Sequence, residues 1–334
     1  MRHHASFMGI RGAFDHMPKI SVLIPAYNVE RYIVRCLDSV IRQTLADIEI
    51  VIVNDRSTDG TAAIIDEYAA RDSRIKVINH PENCGLLWTR KTGVEASSGD
   101  YLMFVDSDDA LKLDACEKLY SQAVANDADL VIAGAEFCYS DGMRVPKRST
   151  LNYGSDGFGV AKAMLKNESL KYVWGKLYQR RLLVESHVEY QKGLNLGEDL
   201  IISFTVARIV SKAICIPDVV YEYYENYTSL SRVYSEKLAR DNIVVLLKTI
   251  DLTSATSEDL RELSEVWAVK RFHALIKKRK VKNRHFVVNT LKELDALSLV
   301  SFKSLTSLLG FRKGMAYYLV FHSDIASKLV ETNS

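Results

Sequence analysis

The stretch YLMFV (residues 101–105), followed directly by DSDD (residues 106–109), decides the fold class. An apolar run of this length, bounded on its N-terminal side by a Gly-Asp pair, predicts a buried strand. The three carboxylates after it cannot be buried without partners. In open α/β sheets, ligands bind at the carboxyl ends of strands, and grouped carboxylates there suit Mg²⁺ or Mn²⁺. Another interpretation is that Asp108 or Asp109 caps the next helix.

Strands and helices alternate on both sides of this stretch, from residue 19 to residue 137. The apolar segments predict strands over 20–24, 49–53, 75–78, 101–105 and 129–133, and helices over 30–43, from 57, over 86–96 and over 113–125. Strands separated by helices of this length are typical of parallel pairing in an α/β sheet. Beyond residue 137 the pattern predicts a hairpin turn at 140–142, and helices near 236–250, 257–280, 285–297 and 315–329.

Composition and charge limit the class of protein. The 334 residues are 48% hydrophobic and 26% charged, as in a soluble globular protein, and the net charge is only +2. Eight Lys or Arg residues and no acid lie between Lys270 and His285. This basic stripe predicts peripheral contact with an anionic membrane surface, or else is an ordinary solvated helix face. It lacks the interleaved aromatic residues of nucleic-acid-binding modules, so no nucleic acid is expected.

Cysteine usage and the N-terminus predict the compartment. The five cysteines form no C-x-x-C pair, so neither a zinc site nor a redox motif is expected, and free thiols fit a reducing cytosol. No apolar stretch approaches the roughly 18 residues that span a bilayer. Residues 1–17 lack a continuous apolar core and are interpreted as a loose leader rather than a signal peptide. The predicted location is cytoplasmic, with contact at the inner face of the membrane as an extension.

Polar residues follow three predicted strands, at Tyr27-Asn28, at Asn54-Asp55 and at 106–109. Because the carboxyl ends of parallel strands meet at one edge of the sheet, these groups can converge on one ligand. The sequence contains no P-loop, no G-x-G-x-x-G fingerprint and no G-x-S-x-G elbow. A ligand at this edge would therefore be held by side chains and a metal more than by a glycine-rich cradle.

In this setting, residues 18–137 resemble the donor half of a family 2 glycosyltransferase. The segments that carry the resemblance are PAYNVE (25–30), VNDRSTDG (53–60), NCG (83–85) with Arg90, and FVDSDD (104–109). The second half is similar to the acceptor side of the family at WGKLY (174–178), GEDL (197–200), YEYY (221–224) and SLS (229–231). One departure is the bulky pair Leu87-Trp88, where the family often has small residues before the arginine.

The resemblance implies the fold class. It implies an α/β protein with the GT-A nucleotide-diphospho-sugar transferase fold, in which a mixed, mainly parallel central sheet is flanked by helices, and with a C-terminal helical extension. The corresponding division is a leader over 1–17, a GT-A domain over 18–234 and a helical region over 235–334. Within the GT-A domain, the donor-binding half is 18–137 and the acceptor half is 138–234.

The resemblance also implies roles for individual residues. Asp55 would accept a hydrogen bond from the uracil imide, and Asp199 would be the general base that deprotonates the acceptor hydroxyl. The divalent metal, Mn²⁺ or Mg²⁺, would lie on Asp108 and Asp109. The other expected donor-binding residues are Pro25, Tyr27, Asn28, Glu30, Asn83, Arg90, Asp106 and Asp108, and the expected acceptor-binding residues are Trp174 and Glu198.

The activity implied is an inverting, metal-dependent transfer. A sugar would move from a nucleotide-diphosphate donor, a UDP-sugar, to a hydroxyl of a glycan or lipid-linked acceptor in cell-surface polysaccharide synthesis. Association into a homo-oligomer is a further expectation. Two alternatives stay open on the sequence. One is a haloacid-dehalogenase-like phosphatase. The segment Phe-Val-Asp-x-Asp (104–108) resembles the motif of that class, although Ala110 departs from it. The other is a catalytically dead nucleotide-sugar-binding protein.

Overall fold

A nine-stranded mixed sheet forms the centre of the protein in a computed structural model that describes residues 17–167, 170–226, 235–254 and 257–277. The strands are β1 (Ile20–Ala26), β2 (Ile48–Asn54), β3 (Ile75–Asn79), β4 (Tyr101–Phe104), β5 (Ala110–Leu111), β6 (Leu130–Cys138), β7 (Arg144–Lys147), β8 (Lys176–Gln179) and β9 (Ala213–Tyr224). The helices are α1 (Ile33–Ile41), α2 (Thr61–Arg71), α3 (Leu86–Ala96), α4 (Ala115–Asn126), α5 (Gly157–Lys166), α6 (Arg180–Val184), α7 (Glu198–Ala207), α8 (Glu236–Ser254) and α9 (Glu258–Lys277).

The strand order is β3-β2-β1-β4-β8-β6-β9-β5, and β7 pairs with β6. The first four strands of this order are parallel, as the alternating pattern predicts. Strand β8 lies between β4 and β6 and is antiparallel to both, so the predicted fifth strand is not a direct neighbour of the fourth. The mixed α/β sheet is confirmed, but only four of its eight pairings are parallel, so "mainly parallel" describes its first half.

The predicted elements agree closely with the observed ones. Helix α3 has the predicted bounds, and the turn at 140–142 joins β6 to β7 as a hairpin. The described helices α8 and α9 confirm two of the four predicted C-terminal helices. The other two, at 285–297 and 315–329, lie outside the described residues, as do residues 1–16 and most of the basic stripe at 270–285. Within the described ranges, no helix has the length and apolarity needed to cross a bilayer.

Apolar side chains cover both faces of the sheet. On one face, α1 contributes Ile33, Cys36, Leu37 and Val40, whose three- and four-residue spacing forms one helical stripe. The other face is covered by α3, α5 and α7, and α8 and α9 pack into this same cluster through side chains such as Trp267. The described part of the C-terminal helical region is therefore built onto the α/β core.

Two features bring the polar loops together. Strands β1, β2 and β4 are parallel neighbours, so the loops after them open at one edge of the sheet. Helix α7 begins beside them because Gly197 precedes it with φ 84°, a conformation that favours glycine. A Cβ at Gly197 would also come within 2.9 Å of Val245, so space and backbone both require glycine. Glu198 and Asp199 are thereby placed in the first turn of α7.

Candidate active site

Asp109 lies inside the protein. It is 1% exposed, its Oδ2 accepts a hydrogen bond from the Tyr221 hydroxyl at 2.7 Å, and its Oδ1 accepts one from the Tyr224 amide at 2.8 Å. Burial, followed by the charges of Asp108 and Asp106, raises the pKa of Asp109. Metal binding by Asp109 stays a prediction; in the structure the side chain is covered and both of its oxygens accept hydrogen bonds from β9.

Asp106 and Asp108 lie nearer the surface. The Asp106 side chain is 26% exposed, and Asp108 is half-buried. Oδ2 of Asp108 accepts a hydrogen bond from the Asn226 amide at 3.0 Å, and its carbonyl accepts one from Arg35. Burial, and then the charge of Asp106, raises the pKa of Asp108. Carboxylates at a strand end offer the oxygen ligands that a hard divalent cation prefers.

Arg90 is fully buried between the loop after β4 and the first turn of α7. It comes from α3 and is 2% exposed. Its Nη2 lies 2.9 Å from Asp106, 3.4 Å from Glu198 and 3.6 Å from Asp199. Burial acts to lower the pKa of Arg90, but the three carboxylates outweigh it and raise the pKa. Donor binding by Arg90 stays a prediction; in the structure its Nη2 faces three carboxylates in the interior.

The first turn of α7 supplies the other two carboxylates. Glu198 is 5% exposed, whereas the Asp199 side chain is 22% exposed. Burial raises the pKa of both, and the charge of Glu198 raises that of Asp199 further. The Oδ1 atom of Asp199 is buried and has no hydrogen-bond partner among the described residues. The same atom lies 3.6 Å from Nη2 of Arg90.

A buried lysine lies behind this turn. Lys176, on β8, is 2% exposed, and its ammonium group donates a hydrogen bond to the Leu170 carbonyl at 2.6 Å. Burial lowers the pKa of Lys176 to about 7, although the charge of Asp199 opposes the shift. In return, the charge on Lys176 favours ionised Asp199.

Asp55 is held at a second position on the same sheet edge. It is 3% exposed, and its Oδ1 accepts hydrogen bonds from the Cys84 amide at 2.8 Å and from His80 Nδ1 at 2.7 Å. Its Oδ2 accepts one from the Gly85 amide at 2.9 Å. The exposed Asn83 side chain donates to the Asp55 carbonyl at 3.2 Å. The sequence motifs above do not include His80. Its position directly after β3, at the same edge of the sheet, is the feature of the sequence that would have indicated it.

The residues after β1 divide by environment. Pro25 is buried within the strand, whereas Tyr27 is 46% exposed. Asn28 and Glu30 hold the next loop, because Asn28 Oδ1 accepts from the Thr58 amide at 2.8 Å and Glu30 Oε2 accepts from the Gly60 amide at 2.7 Å. These bonds join the loops after β1 and β2. Of this predicted donor-binding set, Tyr27 has the accessible aromatic face.

Trp174 is part of an aromatic stack. Its ring is stacked on Tyr172 at 4.4 Å and on Tyr221 at 4.7 Å between centroids, and the residue is 6% exposed. Acceptor binding by Trp174 stays a prediction; in the structure its ring is covered by this stack. Tyr221 links this stack to the carboxylates, since its hydroxyl accepts from the Asp106 amide and donates to Asp109.

Two other groups of possible metal ligands occur in the described residues, and both are explained by protein contacts. Asp55, His80 and Cys84 form one group, in which amides and the imidazole already bind the carboxylate. In the other, at 136, 138 and 222, Lys112 and Arg144 pair with both carboxylates. In both groups the carboxylates therefore already have protein partners.

Known proteins that are similar to this chain are glycosyltransferases. The family model described as Glycosyl transferase family 2 matches residues 21–186. Glycosyltransferase GlyA of Streptococcus pneumoniae is 38% identical over 228 residues, which are 66% of this chain and 32% of GlyA. Putative glycosyltransferase EpsH of Bacillus subtilis is 34% identical over 233 residues, 68% of this chain and 67% of EpsH. The chain thus spans about a third of GlyA.

Solved structures show the same fold at low identity. Residues 1–349 of S. aureus TarS in complex with UDP-GlcNAc superpose with a TM-score of 0.70 at 18% identity, covering 93% of this chain and 92% of that one. Mannosyltransferase PcManGT from Pyrobaculum calidifontis, in complex with GDP-Man and Mn²⁺, gives a TM-score of 0.52 at 15% identity, covering 93% and 88%. The GT-A fold predicted from the sequence is confirmed.

Proposed function

Because the chain belongs to glycosyl transferase family 2, we propose that it moves a sugar from a UDP-sugar to a hydroxyl of a glycan or lipid-linked acceptor, with inversion at the anomeric carbon. The observation that carries the proposal is the position of Arg90, which contacts Asp106 after β4 and lies 3.6 Å from Asp199 on α7. A carboxylate that would hold the cation of the donor diphosphate and one that would accept the proton of the acceptor hydroxyl therefore lie around one guanidinium. A role in cell-surface polysaccharide synthesis is part of the same proposal.

The base of the donor would be read by Asp55. Its Oδ1 already accepts two hydrogen bonds, whereas Oδ2 accepts one from the Gly85 amide. A carboxylate oxygen can accept more than one hydrogen bond, so Oδ2 retains capacity for the uracil imide N–H. The exposed ring of Tyr27, on the neighbouring loop, offers an aromatic face for stacking.

Asp106 and Asp108 would hold the divalent cation, Mn²⁺ or Mg²⁺. Both offer carboxylate oxygens at the end of β4, and PcManGT, which shares the fold, was solved with Mn²⁺ bound. When bound, the cation neutralises negative charge on the departing nucleoside diphosphate. Asp109 has a different task, which is to fix the 106–109 loop to β9 through Tyr221 and Tyr224.

Asp199 would be the general base. A raised pKa suits this role, since a base works best when its pKa is near the working pH. The acceptor hydroxyl would donate to Asp199 while its oxygen attacks the anomeric carbon on the face opposite the diphosphate. Base catalysis of this kind contributes about 10²–10⁴ in rate. Glu198, which is buried beside Arg90, would position this turn of α7 rather than touch the acceptor.

A panel of UDP-sugars with Mn²⁺, scored by thermal shift and by sugar release, tests the proposal. A donor that binds the folded chain at 100 times its Kd stabilises it by about 2.7 kcal/mol. Binding with turnover is the expected result. Binding without turnover would favour the dead nucleotide-sugar-binding protein, and hydrolysis of p-nitrophenyl phosphate without UDP-sugar binding would favour the phosphatase. Membrane contact through 270–285, a cytoplasmic location and a homo-oligomer stay predictions from the sequence.

A further inference from the structure

A buried histidine holds Asp55. His80 is 9% exposed and follows β3, with its amide bound to the Asn54 carbonyl at 2.9 Å. Its Nδ1 lies 2.7 Å from Asp55 Oδ1, and its Nε2 lies 2.9 Å from the Thr92 hydroxyl on α3. Both ring nitrogens therefore have fixed partners, so the imidazole has one orientation.

The partners assign the proton positions. An ionised carboxylate only accepts hydrogen bonds, so Nδ1 carries the proton that points at Asp55. In the neutral ring, Nε2 then accepts from the Thr92 hydroxyl. If the ring is protonated, Nε2 donates to Thr92, and the hydroxyl can donate to the Trp88 carbonyl at 3.3 Å instead. The contact between His80 and Asp55 is satisfied in both forms.

This contact controls which oxygen of Asp55 is available. His80 and the Cys84 amide both bind Oδ1, whereas Oδ2 accepts from the Gly85 amide. These three hydrogen bonds hold the carboxylate group in one orientation, so the lone pairs of Oδ2 face a ligand donor in one direction. Without the imidazole, only the two backbone amides of the 84–85 loop would define its rotation.

We propose that His80 is a positioning residue for base recognition, which fixes the carboxylate of Asp55 so that Oδ2 accepts the N3–H of uracil and rejects cytosine. The inference rests on the proposed function and deepens it. Uracil N3 is a donor, whereas cytosine N3 is an acceptor whose lone pair would face a lone pair of Oδ2. A carboxylate that can turn loses part of this discrimination, because it can move its oxygens away from cytosine.

The chain offers matched variants at one position. His80→Asn places an amide nitrogen near the position of Nδ1 and can keep the donor to Asp55. His80→Gln places its amide near the position of Nε2, so it keeps the contact with Thr92 and loses the donor to Asp55. The two variants therefore separate the proposed role from general packing of the loop. Thr92→Val adds a milder change, because it removes the partner of Nε2 and leaves the imidazole in place.

Calorimetric titration of UDP and of CDP, each with Mn²⁺, tests the inference on the full chain. The readout is the ratio of the two Kd values in one preparation, from which any inactive fraction cancels. We expect wild type and His80→Asn to share a strong preference for UDP, and His80→Gln to lower that preference roughly tenfold, the effect of one charge-assisted hydrogen bond. Thr92→Val should lower the preference for UDP by a smaller factor. If His80→Gln does not fold, Thr92→Val takes its place as the test variant.

Three results would overturn the inference. A wild-type ratio in both His80→Gln and Thr92→Val would show that the contact does not govern base choice. An equal loss in His80→Asn and His80→Gln would show that the donor at Nδ1 is not the cause. Failure of the wild type to bind UDP would instead overturn the proposed function, and this inference with it.

Discussion

The guanidinium of Arg90 lies 2.9 Å from the carboxylate of Asp106, and this contact is buried on the arginine side. Through the same nitrogen, Arg90 also reaches Glu198 at 3.4 Å. The end of β4 and the start of α7, which are far apart in the sequence, are thus held together by one cation. The geometry of the proposed donor side, at Asp106, and of the proposed acceptor side, at Glu198 and Asp199, therefore depends on Arg90.

Replacing Arg90 by Met should destabilise the protein strongly. The change leaves the carboxylates of Asp106, Glu198 and Asp199 without their shared cation, and breaking a buried ion pair costs about 3–5 kcal/mol. Urea unfolding measures the loss. Lys91→Met on the same helix is the control, because Lys91 forms an outward pair with Glu95 and such surface pairs contribute about 0–1 kcal/mol. Equal stabilities of the two variants would refute the bridging role of Arg90.

Asp199→Asn should abolish most turnover and leave donor binding in place. The amide cannot accept the acceptor proton, so kcat should fall by about 10²–10⁴ while the Kd for UDP changes little. Because burial and Glu198 raise the pKa of Asp199, the acid limb of the wild-type pH–rate profile should lie above the ordinary carboxyl range. Steady-state kinetics across pH measure both effects. A variant that retains wild-type kcat would remove Asp199 from the mechanism.

Asp108→Asn and Asp109→Asn should differ in their response to metal. We expect Asp108→Asn to raise the Mn²⁺ concentration needed for half-maximal turnover by at least about tenfold, because it removes a charged ligand. Asp109→Asn should leave that concentration near the wild-type value and lower stability by about 1.5–3 kcal/mol, since its bonds to Tyr221 and Tyr224 weaken. Metal titrations and urea unfolding separate the two. The reverse pattern would identify Asp109, and not Asp108, as the metal ligand.

Lys176 should make stability depend on pH above neutrality. Its pKa is about 7 in the folded protein against an ordinary value of 10.5, so the unfolded chain binds more protons between these pH values. Stability attributable to Lys176 therefore rises as the pH increases through this window, by about 2 kcal/mol from pH 7 to pH 9. Urea unfolding of wild type and Lys176→Met at both pH values measures the difference. A difference that does not change with pH would contradict a neutral buried lysine.

The sequence predicts the first half of the fold well, for a physical reason. Strands β1 to β4 are continuous apolar runs separated by helices, and this local pattern determines parallel neighbours. The insertion of β8 between β4 and β6 depends on long-range pairing, which no local pattern shows.

The same distinction explains the site. The convergence of the loops at Asp55 and Asp106 follows from strand order, so it could be predicted. The environment of each side chain could not. Asp109 and Trp174 are covered by Tyr221, which approaches from β9 in a distant part of the sequence. Adjacent carboxylates in one motif therefore have different surroundings, and only packing decides which of them can bind a ligand.

The stereochemistry of donor hydrolysis, in which water takes the place of the acceptor hydroxyl, tests the central claim most directly. Each α-linked UDP-hexose of the panel is incubated with the protein and Mn²⁺, and the anomeric proton of the released sugar is followed by ¹H NMR before mutarotation. The account predicts that the β anomer appears first and that Asp199→Asn suppresses its release. Initial release of the α anomer, or release that is unaffected by Asp199→Asn, would contradict an inverting transfer with Asp199 as the base.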